Sequence, residues 1–155
     1  MDTRGLACLL FLALGLYPLS GQAAQESSSP DTGSTGPEAL IGLTLEGLYG
    51  RFGVPQAVRS VRGGEPWQDD VVLVYPQGDF YVYRDRVWQL GIPAIRGIRL
   101  GDSREAVILA LGEDALEGEA CFILPIRDQP WPMVLRVNMG GASQVAGIFV
   151  YRSDF

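Results

Sequence analysis

Hydrophobic and polar positions along this chain change period twice, each time from a short helical spacing to strand alternation. In "GDSREAVILALGED", residues 101–114, Ala106, Val107, Ala110 and Leu111 fall at i, i+1, i+4 and i+5 and make one apolar stripe, leaving Arg104 and Glu105 on the solvent side. Ser103 or Asp102 is placed to accept hydrogen bonds from the unpaired amides of the first turn, and Gly112 is placed to end the helix in a left-handed conformation. The same layout occurs earlier in "GLTLEGLYGRFGVP", residues 42–55. There Thr44 is the cap, Leu48 and Phe52 form the stripe, Gly53 stops the helix and Pro55 prevents its continuation.

Alternating runs follow each helix. After the first come "VVLVY" (71–75), "DFYVY" (79–83) and "RVWQLGI" (86–92). After the second come "ACFILPI" (120–126), "PMVLRVNM" (132–139) and "QVAGIFVYR" (144–152), with "AIRGIRL" (94–100) as an extended connection. The segments 56–70 and 113–119 are rich in Gly, Asp and Glu and give no periodic signal. The pattern predicts an α+β fold of two tandem units, each a short helix followed by a three-stranded antiparallel sheet. The first unit spans 39–93 and the second 94–155. The paired glycines are explained by caps and turns, since no Lys or dinucleotide signature accompanies them.

Strand parity assigns faces. Trp88, Leu90 and Ile92, Ala146, Ile148 and Val150, Met133, Leu135, Val137 and Met139, and Phe80 and Val82 are expected to face the helices. The opposite parity leaves Tyr81, Tyr83, Arg136, Asn138, Phe149 and Tyr151 on an outer sheet face. Tyr and Arg are enriched at protein-contact hot spots, so this set is the candidate partner surface.

Processing and composition narrow the function classes. Residues 1–24 have one early arginine, an apolar run from Leu6 to Leu19 and then small residues, the layout of a secretory signal peptide. Residues 25–38 are polar and rich in Ser, Gly and Pro, which predicts a disordered linker. With the signal removed no membrane span remains, and Cys121 is the single cysteine, in an apolar run that suggests a buried thiol. The whole chain carries a net charge of −6, no histidine and no lysine. Those absences remove the commonest general base, Schiff-base chemistry and phosphate-binding lysine loops. An acidic chain without lysine is also a poor match to nucleic acid. The expectation is a non-catalytic, cofactor-free, metal-free module, secreted or periplasmic, whose partner is another envelope or secreted protein. The alternative is a ligand-binding or hydrolase-like protein using acidic loops, with Asp69, Asp70, Glu113 and Asp114 as its carboxylates, joined by Glu117 and Glu119.

The segment 42–55 resembles the Gly-Met-Thr…Val…Leu-Gly-x-Pro opening of the small outer-membrane lipoprotein A family, the small barrel-assembly subunits. Gly42, Thr44, Leu48, Phe52, Gly53 and Pro55 match by position. In the second copy Gly101, Ser103, Val107, Leu111 and Gly112 match, with Asp114 where the proline would stand. A tandem of such units is similar to the β-lactamase-inhibitor-protein fold, whose concave sheet face binds an enzyme. The resemblance implies an envelope-assembly or inhibitor-like role exercised through a sheet face. The chain departs from that family in lacking a lipid-attachment cysteine after its apolar run.

Overall fold

The computed structural model describes residues 36–62 and 70–154; the expected signal peptide, most of the expected linker and Asp69 lie outside the described residues. A 3-10 turn, Pro37–Leu40, leads into helix α1 (Leu45–Phe52). Four strands follow: β1 (Ala57–Val61), β2 (Asp70–Tyr75), β3 (Gly78–Tyr83) and β4 (Arg86–Gly91). A small hairpin of β5 (Ala94–Ile95) and β6 (Ile98–Arg99) precedes helix α2 (Arg104–Leu111). Then come β7 (Leu116–Glu117), β8 (Cys121–Ile126), β9 (Met133–Met139) and β10 (Val145–Arg152).

Each helix starts and stops where its capping residues require. Thr44 Oγ1 accepts from the Gly47 N–H at 3.0 Å, and Ser103 Oγ accepts from the Ala106 N–H at 3.4 Å. Gly53 (φ 73°) and Gly112 (φ 68°) end the helices in conformations that side chains resist. The chain entering each helix is also stitched to a strand. The Gly42 N–H donates to the Val87 carbonyl and the Gly101 N–H to the Val145 carbonyl, both at 2.8 Å.

The sheet corrects the predicted fold class. Instead of two tandem units, each with its own three-stranded sheet, there is a single eight-stranded antiparallel sheet in the order β1-β2-β3-β4-β10-β9-β8-β7. The two short helices are minor additions to it. Strands β4 and β10 join through Gln89↔Tyr151, Leu90↔Val150 and Gly91↔Phe149. The physical reason is that both strands would otherwise end their meanders with open backbone edges beside apolar side chains. Pairing them satisfies the edges and makes the inner face continuous. Two outer strands, β1 and β7, were hidden in the non-periodic segments. Every residue of β1 is exposed, so its sequence carries no burial alternation.

Core side chains come from both helices and the inner sheet face. Leu48 and Val107 are fully buried over Phe80, Val87, Leu90, Phe122, Leu135, Ile148 and Val150. Two β-bulges change the predicted facing. In the β3–β4 ladder Tyr81 pairs with Gln89 but Val82 pairs with Val87. Both Val87 and Leu90 therefore point inward with 0% exposure, and Trp88 is on the outer side, opposite to its predicted facing. In β10 the register shifts between Val145 and Gly147, so Val145 is buried and Ala146, expected inside, is exposed.

The linker boundary and one helix residue also differ from expectation. Pro37 and Glu38 belong to the first ordered turn, not to a disordered linker, and Glu38 is buried with its carboxylate 3.4 Å from Arg96 Nη2. Arg104 is not a free solvent-side residue. Its guanidinium donates to Glu117 Oε1 at 2.6 Å and to the Gly118 carbonyl at 2.8 Å, and it lies 4.9 Å from the Phe122 ring centre.

Candidate binding face

The outer sheet face is assembled by register. One row across the strands runs Val72, Tyr81, Gln89, Tyr151, Val134. The adjacent row runs Val74, Asp79, Gly91, Phe149, Arg136, Ile123. Asn138 stands beside it, opposite Gly147 and Cys121. Antiparallel pairing thus brings residues from distant parts of the chain together on one surface.

Four of the six sequence-predicted residues share one concavity of about 370 Å³, lined by Trp88, Gln89, Arg136, Asn138, Phe149 and Tyr151. Tyr81 forms its flank, with its ring edge-on to Trp88 at 6.4 Å between centres and 71° between planes. Tyr83 lies apart. It ends β3 opposite Arg86, and the Arg84 guanidinium sits 5.1 Å from its ring centre. Strand parity missed Trp88, because nothing in a run of alternating residues marks where a bulge will invert the facing.

Trp88, the Arg136–Asn138 pair and Phe149 each have an identifiable support. The Trp88 indole N–H donates to Asp70 Oδ1 at 3.0 Å. Arg136 Nε donates to Asn138 Oδ1 at 2.7 Å. Phe149 lies against the backbone because its neighbours lack side chains. A Cβ added at Gly147 would stand 2.8 Å from the Phe149 ring, and one at Gly91 would stand 3.3 Å away. These two glycines therefore let the ring lie along the sheet, where it divides this concavity from a second of about 350 Å³ that includes Asp79, Tyr81 and Pro93.

Charge is divided across the face. On its β2–β3 side, Asp79 pairs with Arg59. Burial holds the Tyr81 hydroxyl above the ordinary tyrosine range; nearby Asp79 adds to the rise, Arg59 opposes it and Asp70 reinforces it. On the β9–β10 side Arg136 is the single charged residue lining the concavity.

The acidic alternative finds its residues scattered. Asp70 is on β2 as the acceptor for Trp88, while Glu113 and Asp114 lie exposed in the turn after α2. Glu117 is paired with Arg104, and Glu119 is exposed nearby. Among the described residues no group of three or more His, Cys, Asp or Glu side chains is arranged to hold a metal ion. Cys121 is a free thiol, half-buried in β8.

No family model matches the chain, and no curated protein matches it in sequence. A solved structure, that of an extracellular protein containing an SCP domain from Bacillus anthracis str. Ames, is similar over 84% of this chain, with a TM-score of 0.53 and 13% identity. The chain spans about half that protein, 50% of its length, and at this identity the likeness is one of fold alone. Among the described residues no helix is long and apolar enough to cross a membrane.

Proposed function

We propose that this protein is a non-catalytic binding module that works outside the cytoplasm and captures another secreted or envelope protein on its outer sheet face. The observation that carries this reading is the concavity in which Trp88, Phe149 and Tyr151 stand around Arg136 and Asn138. Aromatic and arginine side chains on a rigid scaffold give large contact area at low conformational cost, the composition of energetic centres in protein interfaces. Their supports, the Trp88–Asp70 and Arg136–Asn138 hydrogen bonds and the glycine bed under Phe149, hold them in place before any partner arrives. An extracytoplasmic location is favoured by the apolar segment from Leu6 to Leu19 and agrees with the extracellular origin of the structural neighbour. The resemblance of residues 42–55 to a barrel-assembly subunit points the same way.

The test is crosslinking and affinity capture from an extract of envelope and secreted proteins. Wild type is compared with the triple variant Trp88→Ala, Phe149→Ala, Tyr151→Ala, and with Arg127→Ala as an off-face control. Circular dichroism and thermal melting establish that the variants fold. Loss of about 3 kcal/mol or more of binding, over a hundredfold in capture, is expected for the triple variant because such anchors each cost about 1–4 kcal/mol when truncated. Equal capture by all three proteins overturns the face assignment.

A further inference from the structure

We infer that the concavity is an anion pocket in which Arg136 anchors an Asp or Glu side chain of the partner protein; this rests on the protein-binding reading above. The charge arrangement is the first argument. Trp88, Gln89, Asn138, Phe149 and Tyr151 are neutral, so the concavity holds one cation and no anion, in a chain whose net charge is −6. Elsewhere on the same face the guanidinium of Arg59 is already paired with Asp79. Among the described residues Arg136 has no carboxylate partner.

Hydrogen-bond geometry is the second argument. The Arg136 Nε is committed to Asn138 Oδ1, which fixes the plane of the guanidinium and leaves its two Nη nitrogens for another acceptor. That end of the fork offers the parallel donors that a carboxylate accepts in bidentate fashion. Because Asn138 spends its oxygen on Arg136, its amide nitrogen remains as a further donor, and the Gln89 amide lines the same space. A donor-rich site with a single positive charge selects a carboxylate over its amide. The rings of Trp88 and Phe149 supply apolar surface for the methylene groups of the incoming side chain and exclude water, which strengthens the pairing.

The probe is N-acetyl-glutamate N-methylamide, titrated against the folded protein by two-dimensional NMR. Its uncharged counterpart N-acetyl-glutamine N-methylamide and D-glucuronate are titrated in parallel. The glutamate probe is expected to shift the amides of residues 136–138 and 149–151 saturably, and the glutamine probe to bind about tenfold or more weakly, the usual effect of removing the charge from one hydrogen-bonded pair. Arg136→Gln should abolish the glutamate response, and Arg136→Lys should retain part of it with weaker affinity, because an ammonium keeps the charge but lacks the fork. Equal binding of the two amino-acid probes, an undiminished response in Arg136→Gln, or no saturable shift overturns the inference. Tighter binding of glucuronate than of the glutamate probe overturns it in favour of an acidic saccharide. Should Arg136→Gln keep full partner capture while the aromatic triple variant loses it, the anion pocket falls and the protein-binding face stands.

Discussion

At the scale of single residues, the outer face places a tyrosine where ionisation opposes folding. Tyr81 is partly buried, and Asp79 and Asp70 are near enough to disfavour a phenolate, with Arg59 only partly compensating. Its folded-state pKa therefore lies above the unfolded value of about 10. The sign follows from linkage. The contribution is fully present below about pH 10 and is lost as pH rises through the folded pKa, because the unfolded chain releases the proton first. Tyr75 is raised in the same direction, chiefly by burial, while its hydroxyl donates to the Gly53 carbonyl at 3.0 Å. Denaturant midpoints measured at about pH 8 and about pH 11 should thus fall for wild type, and fall less for Tyr81→Phe, which keeps the ring and removes the proton. Identical losses in the two proteins would mean that neither burial nor the neighbouring Asp79 and Asp70 raises the Tyr81 hydroxyl above its unfolded value. The facing of Tyr81, Arg136, Asn138, Phe149 and Tyr151 was legible from parity alone. Trp88 was not, since its facing depends on a bulge set by how β3 and β4 register against each other.

At the scale of elements, α2 distinguishes a residue's helical position from its surroundings. The capped start and the glycine stop were legible, because each is a local demand of helix geometry, but only half of the expected apolar stripe is inside: Val107 and Leu111 are buried while Ala106 and Ala110 are exposed. The role of Arg104 was not legible, because its partners come from the short β7–β8 turn, whose sequence is charged and without period. That turn is held by an Arg104 side chain that makes hydrogen bonds to Glu117 and to the Gly118 carbonyl while covering Phe122. Glu117 is about half exposed, with a side-chain accessibility of 49%, so solvent screens the ion pair. Most of the stabilisation therefore belongs to the backbone hydrogen bond and the contact with the ring. Arg104→Ala is expected to cost about 1–2 kcal/mol, against about 2–5 kcal/mol for the core truncation Leu111→Ala. Urea midpoints of the two variants beside wild type check this. An Arg104→Ala cost indistinguishable from zero would show the turn to be held without it. Strand β1 was illegible for a different reason: an edge strand exposed on all five residues obtains its structure from β2, and its own side chains record no buried face.

At the scale of the whole molecule, the decisive feature is the seam between β4 and β10. Residues 86–91 and 145–152 are far apart in the chain, and no local pattern says whether two meanders stay separate or fuse. Fusion follows from what lies under the seam. Leu90 and Val150 pair across it, both with 0% exposure, and their inner neighbours Val87 and Ile148 belong to the same apolar cluster as Leu48 and Val107. Opening the seam would expose that cluster and two rows of backbone hydrogen-bonding groups at once, so the strands on either side should unfold together. It would also split the concavity of the outer face, because Trp88 and Gln89 come from β4 while Arg136, Asn138, Phe149 and Tyr151 come from β9 and β10. Leu90→Ala tests this coupling. The truncation should cost about 2–5 kcal/mol and lower the hydrogen-exchange protection of slow amides in β2 and β3 and in β8 and β9 by the same free energy. If only the amides of β1 to β4 lost protection, the far half of the sheet would be independently stable. The concavity would then lie between two separately folding bodies. Equal losses on both sides would make the sheet one cooperative unit, with the groups that line its outer face held in register by the same strand pair that buries Leu90.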